Sequence, residues 1–376
     1  MNPKENLILA TPLSARLYSL DALRGFDMFW ILGFEEAVHG MKEITGNAFW
    51  AGFSKQLTHP AWHGFHMYDL IFPLFIFIAG VATPYSIDKE IQKGKTKGQI
   101  LQKVLKRSLI LILFGVIHNN KLILQPISEI RFASVLGRIG IAYFFSNVIY
   151  LYSKRVPQLI IFGAILIGYW LIMRFNSAPG FPTGDLTMEG NFASYVDRLF
   201  LPGKLYLGIH DPEGILSSLP SIGNAMLGIL CGSFVKSGTQ NGSTKSGYLA
   251  IVGTVLIALA LLWNLSFPIN KNLWTSSFVL LTGGISFLFF SLFYFIIDVQ
   301  GYKKWAFFFS VIGMNSILIY MSGQFISWTY TGKALFTIPA ELVGPTLGIL
   351  VLPAGIIAIK WAFLYFLYKK KIFLRV

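Results

Sequence analysis

Runs of mostly apolar residues recur along the whole chain, at 20–34, 69–87, 108–120, 133–152, 157–174, 214–235, 247–265, 274–299, 305–328 and 344–368. Most have the length a helix needs to cross the ~30 Å hydrocarbon layer of a bilayer. A backbone in lipid must satisfy its own hydrogen bonds, so such runs are expected to be helices. The fold expected is all-α and polytopic, with about 10–11 transmembrane helices, 334–342 being either an eleventh helix or an interfacial piece. A chain with 54% hydrophobic and 13% charged residues is too apolar for a soluble domain of this length. No composition break divides it, so 1–376 reads as a single transmembrane domain.

The net charge of +14 would point to nucleic acid in a soluble protein. Here the basic residues instead gather in alternate connections, among them Lys93, Lys95, Lys97, Lys103, Lys106 and Arg107, then Lys369, Lys370 and Lys371. Glu35, Glu36, Glu43, Asp185, Glu189 and Asp211 fall in the opposite connections. The positive-inside bias puts both termini in the cytoplasm and makes the bilayer, not nucleic acid, the partner. The first apolar run carries Asp21, Arg24 and Asp27 and so reads as a retained helix rather than a removed signal peptide. Cys231 is alone and inside a run, which leaves no disulfide framework. Three connections exceed a turn, 35–68 and 176–213 on the far face and 88–107 in the cytoplasm; the last reads as a solvated, lysine-rich surface segment.

Chemistry is concentrated in the stretch from His59 to Pro73, where His59, Trp62, His63, His66 and Asp69 precede an apolar run. An Asp at the head of a membrane span is a functional candidate because desolvating it is costly. Pro60 suits the first position of a helix, which makes His59 its N-cap, held neutral by the helix dipole and able to accept a proton. Asp69 would then lie roughly 15 Å along the helix, so pairing with His59 requires a break, for which Gly64 is placed. His59, His63 and His66 at spacings of four and three also allow a metal site on one helix face. Trp62, His63 and His66 equally suit an interfacial belt, and a proton relay is the third reading. Asp21 and Arg24 can pair across one turn. Arg138 and Asn315 lie in spans, where helix-to-helix hydrogen bonds account for them as readily as function does.

The segments Ser19-Leu20-Asp21-Ala22-Leu23-Arg24-Gly25, His59-x-x-Trp62-x-Gly64 and Asp69-Leu70-Ile71-Phe72-Pro73 resemble the heparan-alpha-glucosaminide N-acetyltransferase family and its bacterial relatives among the transmembrane acyltransferases. Asp211-Pro212-Glu213-Gly214, Trp274-Thr275-Ser276-Ser277 and Gly313-Met314-Asn315-Ser316 extend the resemblance in order over nearly the whole chain. The resemblance implies an enzyme that takes acetyl from cytoplasmic acetyl-CoA, its co-substrate, and places it on a glucosamine-like amino sugar or glycan across the membrane. It implies His59 as general base or acetyl carrier and Asp69 as its carboxylate. Glu35 stands where the lysosomal relatives are expected to carry an amide, which bears on the acceptor. Oxyanion or substrate contacts are assigned to Trp62, Asn315 and the backbone N–H groups at Pro60, and the CoA phosphates to Arg24, Lys106, Arg107 and, nearer the far face, Arg138. A bacterial inner membrane is the expected location. The competing reading is a proton-coupled transporter of a sugar or polysaccharide precursor, with Asp27, His59 and Asp69 as the proton path. Small residues around Gly223 and Gly228 serve packing within one chain or in a homodimer.

Overall fold

The computed structural model describes residues 17–123, 125–238 and 240–374, and every apolar run expected to cross the membrane is helical. The helices are α1 Tyr18–Phe29, α2 Glu35–Thr45, α3 Ala48–Gln56, α4 Ile71–Gln92, α5 Lys97–Asn120, α6 Val135–Tyr152, α7 Arg155–Phe175 and α8 Phe192–Phe200. They continue as α9 Ser218–Lys236, α10 Gly242–Asn264, α11 Ser276–Phe293, α12 Ala306–Met314, α13 Ser316–Ser322, α14 Trp328–Leu342 and α15 Pro345–Lys369. Among the described residues, seven helical segments are long and apolar enough to span a bilayer: those built on α4, α6, α7, α9, α10, α11 and α15. The other three expected spans are helices of a different kind. The first ends in a π turn, Trp30–Phe34, where Gly33 takes φ +129°. α5 carries Lys103, Lys106 and Arg107 within it, and the run at 305–328 breaks at Asn315 between α12 and α13. The segment 334–342 falls within α14.

Two long connections of the sequence reading are more structured than loops. The stretch 35–68 contains α2 and α3, and the expected lysine-rich surface segment 88–107 shrinks to a turn between α4 and α5. Thr96 caps α5 by accepting from the Gln99 N–H while the Gln99 side chain accepts from the Thr96 N–H, so helix begins at Lys97. Lys95 and Lys103 both pair with Glu90 at the end of α4, which fastens the turn.

α9 lies at the centre of the bundle, with 78% of its most apolar window buried against 22% for α7, α10 and α15. The central contacts are backbone to backbone. A Cβ on Gly80 would stand 2.1 Å from the Ala225 carbonyl oxygen, and one on Gly228 would stand 2.0 Å from that of Phe77, so α4 and α9 touch only because both positions lack a side chain. Gly228 is thus used within the chain. At the crossing of α1 and α12, a Cβ on Gly313 would stand 1.9 Å from the Asp21 carbonyl oxygen. The first crossing seats α4 on α9, and the second seats α1, with Arg24, on α12.

Candidate active site

At the end of the bundle where α4 begins, residues 57–66 form a bent loop and no helix starts at Pro60. Tertiary partners override the proline signal: the Gly64 N–H donates to the Ile269 carbonyl at 2.8 Å, with Gly64 at φ +119°, and the Trp62 indole N–H donates to the Leu186 carbonyl at 2.8 Å. The helix opens instead with a 3-10 turn, Met67–Leu70, capped by His66 and Asp69. The Asp69 carboxylate, 0% exposed, accepts from the His66 N–H at 3.0 Å and from His59 Nδ1–H at 2.7 Å. Bending the chain at Gly64 thus brings His59 onto Asp69 ten positions later.

The His59 side chain is 49% exposed, its orientation set by the buried carboxylate on Nδ1, which leaves Nε2 beside Lys271. This is the arrangement of a base with its orienting acid. Lys271, which the sequence reading did not single out, places Nζ 3.0 Å from His59 Nε2 and 3.5 Å from Asp69 Oδ1. Burial lowers its ammonium from the ordinary lysine range, against the pull of Asp69 and Glu213. The Tyr68 ring lies 5.1 Å from the His59 ring, and its hydroxyl donates to Glu35, so Glu35 belongs to the same cluster.

The three histidines do not share a face. His63 meets the Asn270 amide at 3.2 Å and His66 Nδ1 meets the Thr58 carbonyl at 2.8 Å, so the metal arrangement that required a common helix is not formed. Burial lowers the His63 imidazole below its ordinary value. Trp62 also sets its ring against His210 at 5.1 Å, and with its N–H taken by Leu186 that proton is not offered to an oxyanion.

At the opposite end, where α4 finishes, a cavity of about 760 Å³ is lined by Arg24, Lys103, Lys106 and Arg107 together with Ser86, Tyr143 and Phe373. Three of the four residues expected to meet phosphate therefore converge there from α1 and α5, and Lys103 joins them. Arg24 also pairs with Asp21 at 3.5 Å, as the spacing of three implied. Phe75, Leu136, Ile139, Ser316 and Ile317 line this cavity and also a narrow apolar one of about 60 Å³ that reaches Ile71 and Phe72 beside Asp69. A wide cationic chamber is thus continued by an apolar neck toward the first turn of α4.

Two assignments from sequence fall elsewhere. Arg138 lines neither cavity: it is 1% exposed, bonded to Ser217 at 2.5 Å and Ser218 at 3.3 Å, and stacked 4.6 Å from the Trp274 ring, because the start of α9 and the 270–275 turn enclose it. Asn315 sits at the helix break beside the cationic chamber, far from His59, and its amide is engaged on both sides, donating to the Ile372 carbonyl at 2.9 Å and accepting from the Leu374 N–H at 3.0 Å. It holds the segment that places Phe373 and Leu374 in the chamber wall.

A profile of the family described as heparan-alpha-glucosaminide N-acetyltransferase, catalytic, matches residues 16–259, a stretch that includes Arg24, His59, Asp69, Lys106 and Arg107. The heparan-alpha-glucosaminide N-acetyltransferase of Homo sapiens is 31% identical over 83% of this chain and 53% of its own length, and that of Mus musculus 31% identical over 84% and 56%. The chain spans about half the length of these curated relatives. A polytopic helical membrane protein whose profile match covers both the His59 and Asp69 pair and the four cations of the chamber, this chain belongs to the heparan-alpha-glucosaminide N-acetyltransferase catalytic family.

Proposed function

We propose that the protein is a single-domain, membrane-embedded acetyltransferase that takes acetyl from acetyl-CoA in the cytoplasm and transfers it to a glucosamine-like amino sugar on the other side of the membrane, with both termini cytoplasmic and, in a bacterial cell, in the inner membrane. The observation that carries this reading is the oriented His59 and Asp69 pair at the start of α4 together with a cationic chamber at its other end, the chamber sharing five wall residues with an apolar neck that reaches Ile71 and Phe72 in the first turn of α4. Lys and Arg concentrate on the chamber side, which the positive-inside rule makes cytoplasmic. Four cations suit the phosphates of CoA, and an apolar neck too tight for a nucleotide suits the acyl-bearing pantetheine arm.

In the direct reaction, the acceptor amine attacks the thioester carbonyl while His59 Nε2 takes the amine proton; the C–S bond then breaks and the CoA thiolate recovers that proton from His59. General-base help of this kind contributes ~10²–10⁴-fold. In the covalent variant, Nε2 itself attacks, CoA leaves, and the acetyl-imidazole delivers acetyl to the amine.

Thiol release from acetyl-CoA by the protein in lipid, with and without glucosamine, tests the reading. Glucosamine-dependent release that disappears in His59→Ala, with CoA binding retained, is the expected result. Absence of release with any amino sugar from folded native protein would overturn it.

A further inference from the structure

Acyl transfer develops negative charge on the carbonyl oxygen of the thioester, and a site that promotes it needs a donor aimed at that oxygen. The donors assigned from the sequence are engaged or distant. Trp62 donates to Leu186, no helix start exists at Pro60, and the Asn315 amide is bound at the other end of the bundle. Among the neighbours of His59, the Tyr68 hydroxyl donates to Glu35 and the Asn270 amide is directed to His63. Lys271 Nζ stands 3.0 Å from Nε2, the atom at which attack or proton transfer occurs in the proposed reaction, 3.2 Å from Nδ1 and 3.5 Å from Asp69 Oδ1, and with three N–H donors it can turn one to an oxyanion while keeping the carboxylate.

Resting on that reading, we propose that Lys271 is a further catalytic residue, whose ammonium binds the oxyanion formed when the thioester carbonyl is attacked beside His59. A carbonyl carbon brought to within bonding or near-contact distance of Nε2 carries its oxygen into the reach of a cation already 3.0 Å from that nitrogen. The lysine is aimed rather than free. Asn270, 0% exposed, accepts from the Leu273 N–H at 2.9 Å, and the Trp274 N–H donates to the Lys271 carbonyl at 3.1 Å, closing a tight turn. Trp274 adopts φ +51°, a conformation that costs a side-chain-bearing residue energy, and is held there by its indole N–H on Asn224 at 2.9 Å. The turn is tied to the histidine loop through Ile269 and Gly64.

Charged groups facing Lys271 come from several elements: His59 and Asp69 from the histidine loop, Glu213 from the turn before α9 and Arg138 from α6. Burial outweighs the two carboxylates and lowers the ammonium from the usual lysine range. A required ammonium is lost as pH rises through its pKa, so the rate should fall on the alkaline side earlier than an ordinary lysine would dictate.

The test uses the full chain in lipid with acetyl-CoA and glucosamine, comparing the native protein with Lys271→Met, Lys271→Arg and His59→Ala. Lys271→Met is expected to lower kcat by ~10²–10³-fold, the usual loss for an oxyanion donor, with CoA binding unchanged by titration calorimetry. Lys271→Arg should keep part of the rate and carry its alkaline limb to higher pH, because guanidinium stays protonated there. A purely structural lysine would not move that limb. Native-like kcat in folded Lys271→Met, or an unmoved alkaline limb in Lys271→Arg, overturns the assignment of Lys271 alone when His59→Ala is inactive. Full activity in His59→Ala overturns the base reading and this proposal with it.

Discussion

Replacing Asp69 by asparagine separates the electrostatic contribution of this residue from its packing. The native carboxylate is fully buried, accepts from His59 Nδ1–H at 2.7 Å and the His66 N–H at 3.0 Å, and lies 3.5 Å from Lys271 Nζ. Asparagine has nearly the same shape but one oxygen in place of two: with that oxygen kept on the His66 N–H the turn that opens α4 retains its cap, while the NH2 faces His59 Nδ1, which must then accept and carry the ring proton on Nε2. The loss is therefore the proton-accepting tautomer of the ring as well as the negative charge opposite it, and the charge alone sets the least effect expected. A charge-assisted hydrogen bond contributes ~1.5–3 kcal/mol against ~0.5–1.5 kcal/mol for a neutral one. Lys271, no longer balanced by a carboxylate, adds repulsion of the same sign. A net loss of about 3 kcal/mol corresponds to a decrease in kcat of ~10²-fold. KM for acetyl-CoA should hold, because the chamber's cations lie on α1 and α5 at the end where α4 finishes, whereas Asp69 stands at its start. The assay is steady-state thiol release in lipid, with CoA binding and thermal melting as controls. A folded Asp69→Asn protein whose kcat stays within about threefold of native would refute the argument that the carboxylate acts through its charge.

Two further predictions address the ends of the molecule. Lys106→Glu and Arg107→Glu, each placing a carboxylate in the chamber, should raise KM for acetyl-CoA by about tenfold or more, a cost of ~1.4 kcal/mol, while kcat at saturating donor stays near native. Unchanged KM in both variants would remove the chamber from the donor path. The second concerns pH and two buried groups, Asp197 on α8 and His210 beside Trp62: burial pushes Asp197 up to about 6 and His210 down to about 4. A raised carboxyl favours the folded state at low pH and loses that contribution as pH rises through about 6, whereas a lowered imidazole stabilises at higher pH and loses as pH falls from 6.5 toward about 4. Each is worth about 3 kcal/mol, so in the native protein they oppose one another. His210→Gln should therefore melt higher on acidification from pH 6 to 4 and Asp197→Asn lower; parallel melting curves for the two variants would contradict the assignment.

The membrane class was legible because hydropathy is local, and all ten apolar runs became helices. The partnership of His59 with Asp69 was nearly legible, since the two are close in sequence with Gly64 between them. Its geometry was not, because Pro60 was read as a local helix signal while Leu186 and Ile269, both remote in sequence, dictate the loop. Lys271 gave no sequence signal: it is a single lysine between two asparagines, 212 positions from His59, and only the turn forced by Trp274 brings it there. Asn315 misled in the opposite direction. A polar residue in an apolar run looks functional, yet here it marks a helix break and fastens the segment that follows α15.

The two-ended design makes the neck the decisive element of the proposed reaction. At about 60 Å³ and with a largely apolar lining, it offers water few partners, so it resists hydration as well as passage of a nucleotide. Acetyl can traverse it only on a thin chain or with movement of a wall. One wall, α4, is locked against α9 through Gly80 and Gly228, where no ångström is available. The facing wall is formed by Met28 and Ile31 on the first span and by Ser316, Ile317 and Tyr320 on α13. That side carries both backbone irregularities of the region, the π turn with Gly33 and the break at Asn315. Helices yield where their hydrogen-bond ladder is already interrupted. In the proposed reaction the wall expected to give way to an acyl arm is therefore the one built from the first span and α13, while α4 keeps Asp69, and with it His59, in place.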